Sequence, residues 1–255
     1  MTGTSSPPGS LPASVRSEVE KARRALGDRR ASVHYDWLHR LSGASSERAA
    51  NALAEVGELV SFEERIRAEH RSGGRPHYAQ FRAPFELYAL VRLVEPDHVV
   101  ETGVSSGVSS AHFLLGLRKN RHGTLHSIDL PLPQRGARFS PRESPVALPP
   151  GRSTGWAMPP ELRDGWDLRV GRSETILPGL LDELPSVGIF LHDSLHTPTH
   201  LAFELATVRP KLRPGSVVLA DNTVWTGAAF PRFARQVGAT VRRRGRSDLV
   251  GLTMP

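Results

Sequence analysis

Apolar residues along this chain alternate between two spacings, which predicts an α/β fold. Short runs that are apolar throughout are typical of strands buried on both faces, whereas longer stretches with apolar residues three or four positions apart are typical of helices. The predicted strands are 97–100, 124–129, 167–170, 187–191 and 216–221, and a final hairpin pairs 239–244 with 249–254. The predicted helices near and between them are 84–96, 106–117, 174–183 and 199–212. Such alternation indicates a doubly wound, mostly parallel sheet that is covered by helices on both sides.

Three further segments stand outside this alternation. Residues 1–14 are rich in Ser, Pro and Gly, and we expect a disordered tail there, because they cannot bury enough apolar surface to offset chain ordering. Residues 15–83 show helical spacing and predict an N-terminal helical extension that precedes the sheet domain at 84–255. Within that domain, residues 131–165 hold many prolines and glycines and are longer than an ordinary connection, which favours a lid over the binding site.

Composition narrows the classes of function. The chain has 255 residues, which suits one large core with an appendage. It has no cysteine, which excludes disulfides, thiolate zinc sites and a cysteine nucleophile. It lacks an apolar run long enough to span a membrane and a recognisable signal peptide, so we expect a cytoplasmic protein with no membrane partner.

The charge balance is strongly basic but does not favour nucleic acid as a partner. The formal net charge is +7 and the pI is near 10.6. Only three of the 33 basic residues are lysines, and the arginines are spread along the chain. The one dense cluster, at 242–246, falls in the predicted hairpin, where we expect an exposed and solvated surface.

A glycine-bearing turn after the first strand is the strongest local signal. The sequence VVETGVSSG places Glu101, Gly103, Ser105 and Gly107 between a buried strand and a helix. Glycine lets the main chain adopt a positive φ and approach a ligand closely, and a carboxylate at the strand end can accept hydrogen bonds from it. The turn lacks the lysine of a triphosphate-binding loop and only approximates the dinucleotide fingerprint.

Polar residues follow every predicted parallel strand, at the sheet edge where ligands bind in α/β folds. Asp129 lies about twenty residues beyond the glycines, where an acid can accept hydrogen bonds from ribose hydroxyls. The other polar strand ends are marked by Glu101, Ser173, His192, Asp193, Asp221 and Asn222. Five such strand ends are a stronger indication of a binding site than the glycine turn alone.

These motifs resemble the class I S-adenosylmethionine-dependent methyltransferases. The resemblance extends from about residue 84 to the C-terminus and is carried by VVETGVSSG, SIDLP, FLHDSLH and LRPGSVVLADN. It implies a Rossmann-like seven-stranded sheet with an antiparallel last strand, and it makes 84–255 the catalytic domain. It also implies that Glu101 lies near the amino-acid end of S-adenosylmethionine and Ser173 near its adenine. The full set of expected cofactor-binding residues is Glu101, Gly103, Ser105, Gly107, Asp129, Ser173 and His192.

The ends of the fourth and fifth strands predict a cation site. Asp193, Asp221 and Asn222 supply oxygen ligands of the kind that Mg²⁺ prefers, and nearby histidines could shift the preference toward Mn²⁺. Here the chain is similar to the divalent-metal-dependent small-molecule O-methyltransferases, in which an acid follows the fourth strand and an acid-Asn pair follows the fifth. In this chain His192 intervenes before the acid Asp193, which departs from the usual spacing.

His196 is the candidate general base. Asp193-Ser194-Leu195-His196 has the D-x-x-H spacing of some sugar O-methyltransferases, so we expect Asp193 and His196 to act together in catalysis. A structural histidine and a metal ligand are the alternatives for His196. We expect His200, at the start of the next helix, to lie on the surface.

The leading hypothesis is therefore a methyltransferase that uses S-adenosylmethionine and a divalent cation, most simply Mg²⁺, to methylate a hydroxyl of a small molecule, such as a secondary metabolite. Metal-independent N- or C-methylation, a non-catalytic binding module and a hydroxylase-like relative are the alternatives. The N-terminal helices could form a homo-oligomer interface.

Overall fold

The computed structural model describes residue 17, residues 35–57, 59–72, 81, 84–130 and 148–245, and residues 247–255. Its α-helices are α1 (Tyr35–Ser42), α2 (Ser46–Gly57), α3 (Val60–Ser72), α4 (Pro84–Val94), α5 (Val108–Asn120), α6 (Ser173–Glu183), α7 (Pro198–Val208) and α8 (Ala229–Val237). Its strands are β1 (His98–Thr102), β2 (Thr124–Asp129), β3 (Trp166–Val170), β4 (Val187–His192), β5 (Leu212–Ala220), β6 (Arg242–Arg243) and β7 (Val250–Thr253). Short 3-10 turns cover Pro160–Leu162 and Arg209–Lys211.

The seven strands form one sheet in the order β3-β2-β1-β4-β5-β7-β6. The first five run parallel, while β7 is antiparallel to both β5 and β6. The predicted seven-stranded, mostly parallel sheet is confirmed. β1 and β4 are neighbours, and the chain leaves them toward opposite sides of the sheet. In open α/β sheets a crevice at such a point, beyond the carboxyl ends of the strands, is where ligands bind, and we expect it here.

The helical extension and the sheet domain share one hydrophobic core. Leu38, Leu53 and Ile66 of the extension are fully buried in the same cluster as Leu90 of α4 and Leu219 of β5. The amphipathic helices α1 to α3 therefore turn apolar faces toward the domain. Whether the extension also forms an oligomer interface stays a prediction.

The structure corrects two boundaries of the predicted elements. The helix expected over 199–212 ends at Val208, because Pro210 cannot continue its hydrogen bonds. β5 begins at Leu212, earlier than the expected residue 216, and its pairing with β4 shifts register between Val187 and Ile189.

The prediction of an exposed arginine hairpin is wrong for Arg244. Its side chain is buried and donates to the carboxylate of Glu86, which lies fully buried in α4. A buried guanidinium requires a partner of opposite charge. One arginine of the 242–246 cluster therefore forms an ion pair inside the fold. The other hairpin residues, Arg242 and Arg243, are more accessible.

The predicted tail at 1–14 and the first half of the predicted lid, 131–147, lie outside the described residues. In the second half, residues 154–159 are buried, while residues 150–153 and 163–165 are exposed. No helix among the described residues is long and apolar enough to cross a membrane.

Candidate active site

The glycine turn after β1 contacts the loop that follows β4. Gly103 has φ +88°, and a Cβ there would lie 2.1 Å from the carbonyl oxygen of Asp193. Two main-chain hydrogen bonds fix this arrangement, Asp193 N to the Thr102 carbonyl oxygen at 2.8 Å and Gly103 N to the Ile128 carbonyl oxygen at 2.8 Å. Gly103 is therefore required by the close approach of protein main chain, in addition to any approach of a ligand. Ser105, which is not glycine, also adopts a positive φ of 50° in this turn.

Glu101 lies beneath the turn and is completely buried. Its carboxylate accepts hydrogen bonds from Ser110 Oγ at 2.5 Å, from Ser127 Oγ at 2.9 Å and from the hydroxyl of Ser109. Burial raises the pKa of Glu101 to about 7 despite the three serine hydroxyls, which favour the charged form. These neutral donors hold the carboxyl inside the fold, and its contact with a cofactor stays a prediction.

Asp129 at the end of β2 binds the glycine turn through its side chain. Asp129 Oδ1 accepts the main-chain N–H of Val104 at 3.0 Å and that of Ser105 at 3.4 Å, and Oδ2 accepts the hydroxyl of Thr154 at 2.7 Å. A carboxylate can accept about four hydrogen bonds, so these three leave capacity for a ribose hydroxyl. Asp129 is partly exposed, as that role requires.

The end of the predicted lid packs onto the same turn. Gly155 N donates to the Ser105 carbonyl oxygen at 2.8 Å, and Ala157 N donates to the Ser106 carbonyl oxygen at 3.0 Å. A Cβ on Gly107, whose φ is +88°, would lie only 3.0 Å from Gly155 Cα. Sequence reasoning missed Thr154 and Gly155 as supports of the turn, because local spacing carries no sign of this long-range contact. We call residues Glu101 to Gly107, Asp129 and Thr154 the cofactor half of the crevice.

The ends of β4 and β5 bring two predicted acids together. Burial raises the pKa of Asp193 well above its usual value, and the negative charge of Asp221 raises it further. Its side chain is 19% exposed, so a ligand can still reach it. Asp221 is fixed from the main chain, since its N–H donates to the His192 carbonyl oxygen at 3.0 Å. Two carboxylates that repel each other in a partly buried place form a site that a cation would stabilise.

His196 and Asn222 join these acids. Asn222 Nδ2 lies 3.0 Å from His196 Nε2, and His196 Nε2 lies 3.8 Å from Asp193 Oδ1. Burial is the main cause that lowers the pKa of His196 to about 4, and the neighbouring His192 is the second. The imidazole is therefore neutral near pH 7, with Nε2 accepting from the Asn222 amide. We call Asp193, His196, Asp221 and Asn222 the acceptor half of the crevice.

His192 and Ser173 belong to a buried cluster around Glu204, a residue that the sequence analysis did not identify. His192 Nδ1 lies 2.7 Å from Glu204 Oε2, and Ser173 Oγ lies 3.0 Å from His200 Nε2. His200 is buried and contacts Glu204 Oε1 at 2.9 Å, so the prediction that it lies on the surface is wrong. The spacing of His200 and Glu204, four residues apart on a helix, is the signal that could have predicted this pair.

The structure thus gathers the predicted site residues around one crevice but divides them between exposed and buried positions. His192, Ser173 and Glu101 are buried among protein partners, while Asp129, Asp193 and Asn222 are partly accessible. Among the described residues, no group of three or more His, Asp or Glu side chains is arranged to hold a metal ion.

Comparisons with known proteins agree with this architecture. A family model described as a methyltransferase domain matches residues 100–223. None of the curated proteins matches this chain.

Two solved structures with the same fold are O-methyltransferases. The O-methyltransferase TomG from Streptomyces achromogenes, involved in tomaymycin synthesis and solved in complex with SAM, is 20% identical, with 76% of this chain and 89% of that chain covered and a TM-score of 0.51. The O-methyltransferase from Bacillus cereus, solved in complex with SAH, is 15% identical, with 76% and 90% covered and a TM-score of 0.51. Residues 100–223 therefore match a methyltransferase domain, and the chain shares the fold of these two O-methyltransferases.

Proposed function

We propose that this enzyme transfers the methyl group of S-adenosylmethionine to a hydroxyl of a small molecule, with help from a divalent cation. The observation that carries the proposal is the acceptor half, where Asp193, Asp221, Asn222 and His196 converge beside the glycine turn. The solved neighbours with the same fold are O-methyltransferases, which favours oxygen as the atom that is methylated.

The cofactor would lie along the cofactor half. Asp129 holds the turn by accepting the main-chain N–H groups of Val104 and Ser105, and it retains acceptor capacity for ribose hydroxyls. The resemblance assigns Glu101, Gly103, Ser105, Gly107, Ser173 and His192 to the same role. Because Glu101, Ser173 and His192 are buried, we expect them to act chiefly by holding the surrounding loops.

The donor set of the acceptor half fits a hard cation such as Mg²⁺. Asp193 and Asp221 would supply carboxylate oxygens, and Asn222 has an amide oxygen that its contact with His196 does not use. The mutual repulsion of the two carboxylates is the feature that a cation would relieve. A divalent cation bound there supplies Lewis acidity that lowers the pKa of a substrate hydroxyl.

His196 would accept the proton of the acceptor hydroxyl. It is neutral at physiological pH and would take the proton at Nε2 in place of the hydrogen bond from the Asn222 amide, but a pKa near 4 makes it a weak base. Such a base is effective only toward an acidified hydroxyl. The remaining requirement of methyl transfer is alignment of the oxygen, the methyl carbon and the sulfonium.

An apolar surface lies next to Asn222. Val224 and Trp225 are 64% and 71% exposed, which is unusual for large apolar side chains. The main-chain N–H of Trp225 donates to the Asn222 carbonyl oxygen at 3.0 Å, which places this surface next to the acceptor half. We therefore propose an acceptor that has an apolar part as well as a hydroxyl, which a polyketide or phenolic compound would satisfy.

The decisive experiment measures methyl transfer from labelled S-adenosylmethionine to a panel of hydroxyl compounds, after EDTA dialysis and after addition of Mg²⁺ or Mn²⁺. We expect transfer that requires the metal and is reduced by at least about 100-fold in His196→Ala. Asp182→Asn is the matched control for a surface charge change, because Asp182 lies exposed on α6. Product analysis identifies the methylated atom.

Metal-independent transfer would support the second candidate, an N- or C-methyltransferase without a cation. The lack of a three-residue metal-binding group among the described residues favours that candidate. Unchanged activity in His196→Ala would remove the proposed base.

A further inference from the structure

Glu204 of α7 connects three separate parts of the crevice. Its carboxylate is fully buried and lies within hydrogen-bond distance of four side chains from β1, β4, the following loop and its own helix. The partners are Thr102 Oγ1 at 2.8 Å, His192 Nδ1 at 2.7 Å, Ser194 Oγ at 3.0 Å and His200 Nε2 at 2.9 Å.

These partners all donate to Glu204. Burial alone would raise the pKa of Glu204, but His192 and then His200 hold it well below its usual range, so the group is a carboxylate. A carboxylate only accepts hydrogen bonds, which places the proton of His192 on Nδ1 and a proton of His200 on Nε2. All four acceptor positions of the carboxylate are then in use.

Two of the four donors flank Asp193 in the chain. His192 precedes it and Ser194 follows it, and both side chains are held by the same carboxylate. The third donor, Thr102, also accepts the main-chain N–H of Asp193 at its carbonyl oxygen. The main chain at Asp193 is thus fixed before, at and after the residue.

The position of Asp193 matters to both halves of the crevice. Its side-chain Oδ1 lies 3.8 Å from His196 Nε2 in the acceptor half. The Asp193 carbonyl oxygen also fills the space above Gly103, so any movement of Asp193 would disturb the glycine turn.

We propose that Glu204 is a positioning residue, which holds Asp193 opposite Asp221 by binding the residues on either side of it. The inference rests on the proposed function for the role of Asp193, but the positional claim concerns this chain alone. Glu204 touches none of the residues proposed to bind the cation.

The sharpest variant is Glu204→Gln, which keeps the shape but replaces one acceptor oxygen with an N–H donor. At least one of the four donors then faces another donor, which is costly in a buried site. The matched control is Glu174→Gln. Glu174 contacts the same cluster through His200 Nδ1 at 3.3 Å, but it is 39% exposed and is not hydrogen-bonded to His192 or Ser194.

The first measurement is amide hydrogen exchange by NMR in the protein without added cofactor. In Glu204→Gln we expect protection of the Asp193 amide to fall by at least about 10-fold more than that of Val218, a core amide of β5. In Glu174→Gln, protection from exchange should change by the same factor at the Asp193 and Val218 amides. An equal fall at both amides in Glu204→Gln would show a general loss of stability and would overturn the proposal, as would no fall at Asp193.

Ser194→Ala keeps the test valid if Glu204→Gln does not fold. It removes a single donor from a partly exposed residue, and a smaller but selective fall at the Asp193 amide is expected. Unchanged protection at Asp193 in Ser194→Ala would then refute the proposal.

The second measurement separates positioning from cofactor binding. In Glu204→Gln we expect kcat to fall by about 10- to 100-fold, while the Kd for S-adenosylhomocysteine changes by less than about threefold. The acceptor is a hydroxyl compound that the wild-type enzyme methylates in the panel above. If the wild type methylates none, the proposed function fails, and hydrogen exchange still decides the role of Glu204.

Discussion

The two halves of the crevice surround their carboxyl groups with different partners. In the cofactor half, Glu101 and Asp129 accept hydrogen bonds from serine and threonine hydroxyls and from main-chain N–H groups. In the acceptor half, Asp193 faces a second carboxylate, and His196 Nδ1 has no hydrogen-bond partner among the described residues. Protein donors hold the carboxyl groups of the first half, whereas in the second half the charge of one carboxyl group disfavours ionisation of the other.

The contrast in partners also explains why the pKa values of two fully buried glutamates, Glu101 and Glu204, shift in opposite directions. Neutral serine donors surround Glu101, and burial raises its pKa to about 7. Histidines surround Glu204, and they lower its pKa although it is equally buried. In this protein, the buried acid with histidine partners has the lowered pKa and the one with only serine partners has the raised pKa.

The largest effect should come from the point where the halves meet. Gly103→Ala places a Cβ 2.1 Å from the Asp193 carbonyl oxygen and imposes a positive φ on alanine. We expect loss of S-adenosylhomocysteine binding by calorimetry and a fall of more than about 3 kcal/mol in the free energy of unfolding in urea.

Gly215→Ala is the control for Gly103→Ala, since Gly215 has the same φ of +88° but no atom within 4 Å of the added Cβ. Its cost should be about 1 kcal/mol, from backbone strain alone. Equal costs at the two positions would mean that the contact between the halves is unimportant.

The next effect tests the acceptor half alone. Asp221→Asn removes a charge that raises the pKa of Asp193 and replaces one proposed carboxylate ligand with a neutral amide oxygen. Turnover should fall by about 100-fold, while the Kd for S-adenosylhomocysteine stays within about threefold. NMR titration of Asp193 should show a lower pKa in the variant. A similar loss of cofactor affinity and turnover would indicate that the halves are not separable.

A smaller effect is expected from the buried acid of the cofactor half. The pKa of Glu101 is about 7 in the folded protein against 4.5 for an unperturbed glutamate. Between these values the folded state holds a proton that the unfolded state has lost, so stability falls as pH rises from about 4.5 to about 7.

Glu101→Gln should remove that pH dependence and stabilise the protein at pH 8 by about 2 kcal/mol relative to wild type. Urea unfolding at pH 5, 6, 7 and 8 measures the difference. Parallel stability profiles for the two proteins would show that Glu101 does not titrate in this range.

The smallest effect concerns Thr154, whose hydroxyl donates to Asp129 Oδ2 at 2.7 Å. Thr154→Val keeps the shape and removes the donor, and we expect about three- to tenfold weaker S-adenosylhomocysteine binding with little change in Tm. Thr154→Ser should bind like wild type. Equal weakening in both variants would point to packing instead of the hydrogen bond.

Most of the fold could be predicted from the pattern of apolar residues. The five parallel strands and the helices between them follow from periods that depend only on local geometry. Errors occurred where a local rule met a tertiary contact, as at Leu212, which joined β5 by pairing with Val187. Arg244 is a second case, because its partner Glu86 lies 158 positions away.

The positions of the candidate site residues in the fold could be predicted, but their surroundings could not. The rule that parallel strands end at one edge placed Asp129, Asp193 and Asn222 around one crevice. It could not show which of these side chains would be buried, or that Thr154 and Glu204 would support them. Hydrogen-bond partners from distant segments decide those properties.

The sequence by itself determined the order of strands and helices, the turn that needs glycine and the set of polar residues at the sheet edge, since each depends on neighbours in the chain. Only the tertiary structure decided how each acid is charged, because burial and the approach of Ser109, Ser110, His192 and His200 set the balance between the neutral and ionised forms. That balance distinguishes the cofactor half, where protein donors hold the carboxyl groups, from the acceptor half, where the charge of Asp221 raises the pKa of Asp193.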